Sequence, residues 1–591
     1  MEDETYEKVD LIIVGAGPSG LVCARTYLTI NPSANVVILE SAATIGGVWA
    51  KERIYPGLHL NNLLGTYEYS DFPMSEKKFG VTRGKHIPGE AAHEYLKAYA
   101  QEFGFYSKIR FESKVESVEK IDSNDQERWT VAYCKTNSAS GNVVRYILTK
   151  KLVLSTGTCE EPVLPVLKDS ETFDAPLFHS RDMAKEQHAI REAKNVAVLG
   201  GSKSGYDAAY LAASNGAQVD WIISNSGRGG IWISPPYVTP FKKWLEKFVT
   251  TRIFTWFSPC SWGDADGFGR IRELLHRTSI GRWVVDKFWR FMGDDVIKIN
   301  RYDDHPETKK LKPWTETFWI STSFSILNYP TDFYDLVRNG QIRVHVGDVE
   351  KLSPKTIHLK GGEVIKTDLL ISCTGWKGFP DIQFLPEGIE KKLGIPFKST
   401  KPEKLTLLAN IETFSHFPRL KEQPTVKNPY NGVFEDRSKN NNYERFKLYR
   451  LMVPPAFIHD RSIGFVGMLT TFSTLLSSQV QALWMTAYLD GKLDLETSPG
   501  MTEKEFLWDA TLHNQFLKWR YPFASPVHPD FVFDTVPYLD WILHDLKLKS
   551  HRKRGILAEI FQPYGPEDYR GLIEEWKTLH KKETAQSEAW P

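Results

Sequence analysis

The sequence predicts an α/β fold in which one unit, an apolar strand followed by a glycine-rich turn and a helix of small residues, occurs twice. The first copy is VDLIIVGAGPSGLVCARTYL at residues 9–28, and the second is NVAVLGGSKSGYDAAYLA at residues 195–212. The chain has 591 residues, which is more than one hydrophobic core supports, so each copy is expected to begin its own domain. Strand, glycine turn and helix in this order are typical of Rossmann-like dinucleotide-binding domains, of which we expect two.

The composition narrows the class of protein. Hydrophobic residues make up 41% and charged residues 25% of the chain, as in ordinary globular proteins. The formal net charge is +1, so there is no basic excess to neutralise a nucleic-acid backbone, and no nucleic-acid partner is predicted. The longest apolar run, residues 11–30, is broken by the glycine turn, so it predicts a strand and a helix and no transmembrane segment.

The cysteines argue against three kinds of chemistry. Five are scattered along the chain without a CxxC pair or a Cys/His cluster, and we therefore predict no disulfide framework, no metal site and no dithiol redox centre. A reducing compartment is the default for such a chain, and the acidic N-terminus leaves no room for a signal peptide, so the predicted location is cytoplasmic. The cysteines are Cys23, Cys134, Cys159, Cys260 and Cys373.

The first glycine turn, GAGPSG at residues 15–20, has the GxGxxG spacing between a predicted strand and a predicted helix. Gly15 makes the tight turn, Gly17 lets the backbone approach a pyrophosphate, and Gly20 lets the helix pack closely on the strand. The phosphate is expected at the N-terminus of the helix. Pro18 and Ser19 complete this predicted binding site.

An acidic residue and a second glycine pair follow the first turn. The strand NVVILE ends in Glu40, whose carboxylate is placed to accept hydrogen bonds from a ribose diol. The segment IGGVW then contains Gly47, Val48 and Trp49, and its glycines and Trp predict a backbone passing close to a large planar ring. Together these features favour FAD over NAD for the first site.

The second glycine turn, GGSKSG at residues 200–205, differs from the first in two ways. Ser202 replaces the middle glycine, and no acid stands at the end of the following strand, QVDWIIS. Lys203 in the turn and Arg228 in the loop SNSGRGG occur instead, and a cation accommodates the 2′-phosphate of NADPH. An NADPH site is therefore predicted, with solvated surface charges as the alternative interpretation of both cations. Its predicted members are Gly200, Ser202, Lys203, Ser204, Gly205 and Arg228.

Four further segments resemble those of a known family. ETFDAPLFHSRDM at residues 171–183 resembles the fingerprint FxGxxxHxxx followed by an aromatic, with Phe173 and His179 matching and Ala175 and Met183 departing. LVLSTGTCEEPVLP at 152–165 and DLLISCTGW at 368–376 resemble the two crossover segments, and SSQVQALW at 477–484 resembles a late helix. Together with the two glycine turns, these segments resemble the class B flavoprotein monooxygenases, in a layout closest to fungal-type members.

The resemblance implies the cofactors, the reaction and further site residues. NADPH would reduce FAD, and the reduced flavin would take up O2 as a C4a-(hydro)peroxide that passes oxygen to an organic substrate. In YPGLHLNNLLGTYEYSDFPM at residues 55–74, Asn61 stands where amine-oxidising members have Asn and Baeyer–Villiger members usually have Asp. Asn61 is therefore the candidate catalytic residue, with a loop-capping Asn as the alternative. The crossover segments add Thr156, Gly157, Thr374, Gly375 and Trp376 to the predicted cofactor sites.

Three activities remain open from the sequence. The leading hypothesis is N-, S- or C-hydroxylation of a fairly large apolar molecule in secondary metabolism. The first alternative is Baeyer–Villiger insertion beside a ketone. Two residues argue against it, because Asn61 replaces the Asp and Met183 replaces the Trp that Baeyer–Villiger members are expected to have. The second alternative is an NADPH oxidase or dehydrogenase without oxygen transfer. For Gln481 and Trp484, packing in the core is the favoured interpretation.

The predicted domain order places the second nucleotide domain between two parts of the first. Residues 1–165 and 371–495 form the FAD domain, 166–370 the NADPH domain and 496–591 a helical C-terminal extension. Residues from about 231 to 330 are a predicted helical insertion, rich in Trp and Phe. We favour the interpretation that this insertion covers the active site. The alternatives are a plain helical insertion with its own core and a peripheral contact with a membrane. The predicted partners are a small organic substrate and O2.

Overall fold

The computed structural model describes residues 6–121, 127–136, 143–239, 242–321, 323–399, 401–426, 429–430, 443–493, 501–525 and 527–588. The two glycine turns are carried by two separate sheets, each with its parallel strands next to the turn. The predicted α/β fold with two Rossmann-like domains is therefore confirmed.

The first sheet has eight strands, and the strand that leads into the first glycine turn, Glu7–Val14, lies inside it. Parallel neighbours pair with it on both sides. The second half of this strand, LIIV at residues 11–14, is buried on both faces, which is why it is continuously apolar. In spatial order the strands are Gln383–Leu385, Ser113–Lys120, Trp129–Lys135, Val144–Leu154, Glu7–Val14, Val36–Leu39 and Ile109–Arg110, with Ile463–Phe465 paired to Val144–Leu154.

The second sheet has five strands, all parallel. The predicted end of this domain at residue 370 lies within the strand Leu369–Ser372. That strand cannot be divided because it pairs along its whole length with the strand that precedes the second glycine turn. In spatial order the strands are Ile342–Val346, Gln218–Ile223, Asn195–Leu199, Leu369–Ser372 and Leu177–His179.

Smaller sheets and the helices complete the described structure. A three-stranded antiparallel sheet consists of Val349–Ser353, Thr356–Leu359 and Val364–Lys366. The two-stranded pairs are His59–Leu63 with His86–Pro88, Ile233–Ser234 with Ser325–Ile326, Tyr237–Val238 with Lys243–Trp244, and Phe397–Lys398 with Tyr443–Glu444.

None of the described helices is long and apolar enough to cross a lipid bilayer. The longer helices are Pro18–Ile30, Gly89–Glu102, Lys203–Ser214, Gly269–Arg277, Ser279–Asn300, Lys404–His416, Thr474–Leu489, Glu503–Arg520, Thr535–Asp545 and Leu572–Glu588. The shorter helices are Glu76–Phe79, Gln187–Glu192, Leu245–Val249, Arg252–Thr255, Pro306–Lys309, Phe333–Arg338 and Ile556–Phe561.

The insertion, residues 231–330, packs against the C-terminal extension through a shared aromatic core. The ring of Trp262 stacks on that of Trp541, with centroids 5.7 Å apart and planes 8° from parallel. Trp289 meets Phe533 edge-on at 4.7 Å. Aromatic pairs of this kind contribute beyond the area they bury. The predicted boundary at 495/496 lies outside the described residues.

A buried ion cluster joins the same two regions. Arg252 of the insertion is completely buried and pairs with Asp540 and Glu559 of the extension. Tyr564 adds a hydroxyl to the cluster, 3.2 Å from the guanidinium. Removing one partner of such a pair leaves an uncompensated buried charge, at a cost of about 3–5 kcal/mol.

Candidate functional site

The first glycine turn leaves no room for a side chain at two of its three glycines. Gly15 has φ +104°, and a Cβ there would lie 2.5 Å from the carbonyl oxygen of Ser155. A Cβ at Gly20 would lie 1.9 Å from the oxygen of Gly15. Gly17 is different, because its backbone is extended and a Cβ would lie 3.6 Å from the Cα of Gly47. The bare backbones of Gly17 and Gly47 thus face each other, a cradle suited to a pyrophosphate group.

Glu40 follows the strand Val36–Leu39 and orders this turn. Its Oε2 accepts a hydrogen bond from the N–H of Ala16 at 2.7 Å, and its Oε1 accepts one from Ala42 at 2.8 Å. Burial raises the pKa of this carboxyl group, and the two backbone hydrogen bonds act against that rise. A carboxylate has about four acceptor positions, so capacity remains for a ribose hydroxyl at the cavity that Glu40 lines.

The second glycine turn repeats the geometry of the first. Gly200 has φ +123°, and a Cβ would lie 2.3 Å from the oxygen of Cys373, while one at Gly205 would lie 2.2 Å from the oxygen of Gly200. Ser202 has φ −86° and ψ 178°, close to the −75° and 179° of Gly17. Any residue adopts this extended conformation, so the serine is accommodated without backbone strain. The helix Lys203–Ser214 begins directly afterwards, and its free N–H groups suit a phosphate.

Lys203, the first residue of the helix that follows the second glycine turn, contacts three neighbouring side chains. Its Nζ pairs with Asp207 and donates a hydrogen bond to Oδ1 of Asn328 at 3.0 Å. The ammonium group also lies 4.9 Å from the ring centroid of Tyr329. Lys203 lines the large cavity that also runs along the first glycine turn, whereas Arg228 does not line it. The two predicted cations therefore have separate surroundings, because the lysine side chain turns towards an acid one helical turn away.

Arg228 is exposed, in a loop that folds back over the second glycine turn. The N–H of Ile231 donates to the oxygen of Gly201 at 3.3 Å, which holds the loop there. A carboxylate that was not predicted from the sequence also lies at the end of the strand Gln218–Ile223, which precedes this loop. Asp348, from the loop after the neighbouring strand, accepts a hydrogen bond from Oγ of Ser224 at 2.6 Å.

One cavity of about 1000 Å³ joins the two halves of the molecule. It runs along the first glycine turn and reaches the second turn at Lys203. The predicted site residues that line it are Gly15, Gly17, Pro18, Ser19, Glu40, Gly47, Val48, Trp49, Asn61, Thr156, Gly157 and Lys203. The predicted residues outside its lining are Gly20, Gly200, Ser202, Ser204, Gly205, Arg228, Thr374, Gly375 and Trp376.

Two tryptophans expected beside the flavin have different surroundings. Trp49 lines the cavity, and its ring meets Tyr67 edge-on at 6.4 Å. Trp376 lies outside the lining, where its ring meets His179 edge-on at 4.9 Å. Trp376 also pairs through its backbone with Pro162, so it joins the two crossover segments to each other.

Gln481 and Trp484 are core residues of the late helix Thr474–Leu489. Gln481 is buried and accepts a hydrogen bond from the N–H of Gly467 at 3.1 Å. Because Gly467 lines the cavity, this bond fixes part of the cavity wall. Trp484 is fully buried and donates to Asp545 of the extension at 2.8 Å.

Asn61 lies on the strand His59–Leu63 and lines the cavity half-buried. Its Nδ2 donates to Oγ of Ser325 in the insertion at 3.2 Å. Apolar side chains border this end of the cavity, including Phe324 and Phe472, whose ring centroids are 5.9 Å apart. Such a wall excludes water around a planar ring and an apolar substrate.

The described residues contain no group of three or more His, Cys, Asp or Glu side chains able to hold a metal ion. All five cysteines, which lie within the described ranges, are free thiols. The glycine turns, the facing backbones of Gly17 and Gly47, and the Glu40 carboxylate fit a dinucleotide such as FAD.

Comparisons with known proteins agree with this geometry. The sequence profile of the flavin-binding monooxygenase-like family matches residues 8–259. FAD-dependent monooxygenase DEP4 of Alternaria brassicicola is 30% identical, over 97% of this chain and 96% of its own length. FAD-dependent monooxygenase rstn6 of Aspergillus nomiae is 29% identical, over 96% and 98%. The closed crystal structure of cyclohexanone monooxygenase shares the fold, with a TM-score of 0.58 at 14% identity over 92% of this chain and 97% of that one. The chain belongs to the flavin-binding monooxygenase-like family and is an FAD-dependent monooxygenase.

Proposed function

We propose that the enzyme uses NADPH and O2 to hydroxylate a fairly large apolar organic molecule at nitrogen, sulfur or carbon. The observation that carries this proposal is the single cavity lined by the first glycine turn, Asn61 and Lys203 of the second turn. A cavity reached from both domains lets a dinucleotide on the second turn meet a flavin on the first. Its apolar wall, with Phe324 and Phe472, suits an apolar substrate.

Different residues of the chain would bind the two cofactors. The first glycine turn and its helix would hold the FAD pyrophosphate, and Glu40 would accept from the ribose. The second turn would hold the NADPH pyrophosphate, with Arg228 beside the 2′-phosphate. When bound, the flavin supplies the redox and oxygen chemistry, while the protein orients the reactants and excludes water.

Asn61 supports hydroxylation over Baeyer–Villiger insertion. One N–H of its amide is used by Ser325, which leaves a second N–H and the Oδ1 for a ligand in the cavity. An uncharged amide offers a donor and an acceptor without adding a negative charge next to the flavin. A carboxylate at the same place would offer acceptors alone at neutral pH.

The test is turnover of three probe molecules, an apolar amine, an apolar thioether and an apolar ketone. The purified enzyme should be yellow, consume NADPH faster than NADH, and convert the amine or the thioether to a product one oxygen atom heavier. Ester formation from the ketone alone would establish Baeyer–Villiger insertion instead. Hydrogen peroxide equal to the NADPH consumed, with every probe unchanged, would support an oxidase.

We further propose that the insertion rests on the surface of an anionic lipid bilayer. The helices Gly269–Arg277 and Ser279–Asn300 form a hairpin with large apolar side chains exposed near its tip. Leu274 is 62%, Ile280 78% and Trp283 61% exposed. Exposed apolar residues grouped in this way mark an interaction surface.

The charge around the tip favours anionic lipid as the occupant. Four cations and the acids Glu273 and Asp286 lie on the same two helices. Arg277 pairs with Glu273, Asp286 pairs with Arg419, and the Lys287 ammonium lies 5.7 Å from the Trp283 ring. A Trp among basic residues is typical of helices lying in a membrane interface. A second copy of this face would bring the same cations together, which disfavours self-association. The four cations are Arg277, Arg282, Lys287 and Arg290.

Vesicle sedimentation tests this surface. The enzyme should pellet with phosphatidylserine vesicles and remain in solution with phosphatidylcholine vesicles, and Trp283→Ser should reduce the bound fraction about 5-fold. Leu557→Ser is the matched control, because Leu557 is 70% exposed on a different helix. Equal binding to both lipids, or no effect of Trp283→Ser, would contradict the proposal.

A further inference from the structure

The strand that carries Asn61 is held from outside its own domain. Asn61 donates to Ser325, and the oxygen of His59 accepts from Nδ2 of Asn328 at 2.7 Å. The adjacent residue, Asn62, donates to Glu246 at 2.5 Å. All three partners belong to the insertion, so the insertion adds these contacts to the pairing of the strand with His86–Pro88.

Glu246 makes the most extensive of these contacts. Its Oε1 accepts from Nδ2 of Asn62 and from Oγ1 of Thr66 at 3.1 Å. Its Oε2 accepts from the N–H of Leu63 and from Nε1 of Trp244, each at 3.0 Å. Four donor groups thus lie within hydrogen-bond distance of the carboxylate, three of them in residues 62–66, and the hydroxyl of Thr66 shares its one proton between Glu246 and the oxygen of Leu63.

The surroundings of Glu246 explain why a carboxylate is needed there. The residue is 5% exposed, and no Lys, Arg or His in the described part of the chain lies within ion-pair distance. Burial raises the pKa of this carboxyl group, and the four hydrogen bonds oppose the rise. Burying an acid without a cation is costly unless its acceptor positions are filled. Four donors converge here, and only a carboxylate accepts from all of them, because an amide would turn its NH2 group towards two.

We propose that Glu246 is a positioning residue that holds the Asn61 strand in place at the flavin end of the cavity. The proposal rests on the function proposed above, since it gives Asn61 its role. Asn62 also donates to the oxygen of Phe472 at 3.3 Å, and both residues line the cavity. Loss of the Glu246 contacts therefore moves two parts of the wall together.

The principal test uses Glu246→Gln, which keeps the shape and loses two acceptor positions. Without substrate, NADPH + H+ + O2 yields NADP+ + H2O2, and this leak should rise roughly 10-fold in the variant. Flavin content and the rate of flavin reduction by NADPH under anaerobic conditions should stay within about 2-fold, because none of the hydrogen bonds that Glu246 makes among the described residues involves either glycine turn. Glu316→Gln is the control, since Glu316 also belongs to the insertion but its side chain is 71% exposed.

A second readout does not depend on turnover. The visible circular dichroism of the oxidised flavin reports the wall around the ring, and it should change in Glu246→Gln but not in Glu316→Gln. Asn62→Ala removes one donor and leaves the other three, so it tests the same contact if Glu246→Gln does not fold. In the double variant the two effects should be far from additive.

The outcomes separate this proposal from the function itself. An unchanged dichroism spectrum and an unchanged peroxide leak in both Glu246→Gln and Asn62→Ala would overturn the positioning role. A wild-type enzyme that NADPH fails to reduce would overturn the proposed reductant, while the dichroism comparison would still test Glu246.

Discussion

Gly15 and Gly200 occupy equivalent positions in the two domains, and each lies against the residue that precedes a Thr-Gly crossover. A Cβ at either position would meet a carbonyl oxygen at 2.5 or 2.3 Å, that of Ser155 or Cys373. The surroundings nevertheless differ, because the first turn opens onto Gly47 and Glu40 whereas the second is covered by the loop carrying Arg228. Under the proposed function, the same backbone would serve two ligands, and the residues opposite the turn would distinguish them.

The strongest way to test this comparison is to substitute the first glycine of each turn. Gly15→Ala and Gly200→Ala force a side chain into a left-handed conformation, which costs about 1–3 kcal/mol or roughly 5- to 150-fold in ligand affinity. Gly15→Ala should yield protein depleted of flavin. Gly200→Ala should remain yellow but be reduced slowly by NADPH. Flavin absorbance and anaerobic reduction rates measure both effects, and loss of flavin from both variants would refute the division of labour.

The middle position of each turn, Gly17 in the first and Ser202 in the second, gives a second comparison with a smaller expected effect on ligand affinity. Gly17→Ser places a side chain between two facing backbones, so FAD affinity should fall roughly 10-fold. Ser202→Gly changes a residue that already has an extended backbone, and its main effect is about 0.5–1 kcal/mol of added flexibility. Fluorescence titration of FAD and NADP+ measures both. Equal losses in the two variants would mean that the second turn approaches its phosphate as closely as the first.

The two cations of the proposed second site, Arg228 and Lys203, should have different effects on the KM values for NADPH and NADH. Arg228→Ala should raise the KM for NADPH roughly 5-fold and leave that for NADH unchanged, the size expected for an exposed charge. Lys203→Ala should affect both coenzymes alike, because Lys203 pairs with Asp207 and faces the cavity. Steady-state assays with each coenzyme decide the matter. A selective NADPH effect of Lys203→Ala would restore it as a 2′-phosphate ligand.

The smallest expected difference concerns pH and the second sheet. His345 lies between Asp220 at 2.8 Å and Glu363 at 2.7 Å, and these carboxylates raise its pKa above 6.5 despite the opposing effect of burial. The protonated histidine therefore stabilises the fold fully below pH 6.5, and that stability is lost as pH rises through the raised pKa. Thermal unfolding of His345→Gln should differ most from wild type at acidic pH, by less than about 1 kcal/mol. A gap that widens towards alkaline pH would contradict this assignment.

Local patterns were sufficient to predict the nucleotide turns but not the complete cavity wall. Gly15, Glu40 and Trp49 lie close together in sequence, so the spacing that defines the first site is visible in the sequence. Ser325 and Glu246 contact the Asn61 strand from about 180 to 264 residues away. No local period records such a contact, because tertiary packing alone brings these residues together.

The prediction for Lys203 illustrates a second limit. Its position in the turn predicts a phosphate ligand, and that role stays a prediction, whereas its pairing with Asp207, four residues later on the same helix face, was not predicted. That spacing was present in the sequence and offered a signal. The acid Asp348, at the end of the strand Gln218–Ile223, was not detectable in this way, since it comes from the loop after a different strand, Ile342–Val346.

The Arg252 cluster has a consequence for the order in which the chain is made. Arg252 is synthesised nearly 300 residues before its partners Asp540 and Glu559, whose carboxylates neutralise it in the finished core. During translation the insertion emerges with Asp266 as a nearby carboxylate partner for Arg252, while Asp540 and Glu559 have not yet been made. The final packing of the insertion against the extension must therefore wait for the last part of the chain.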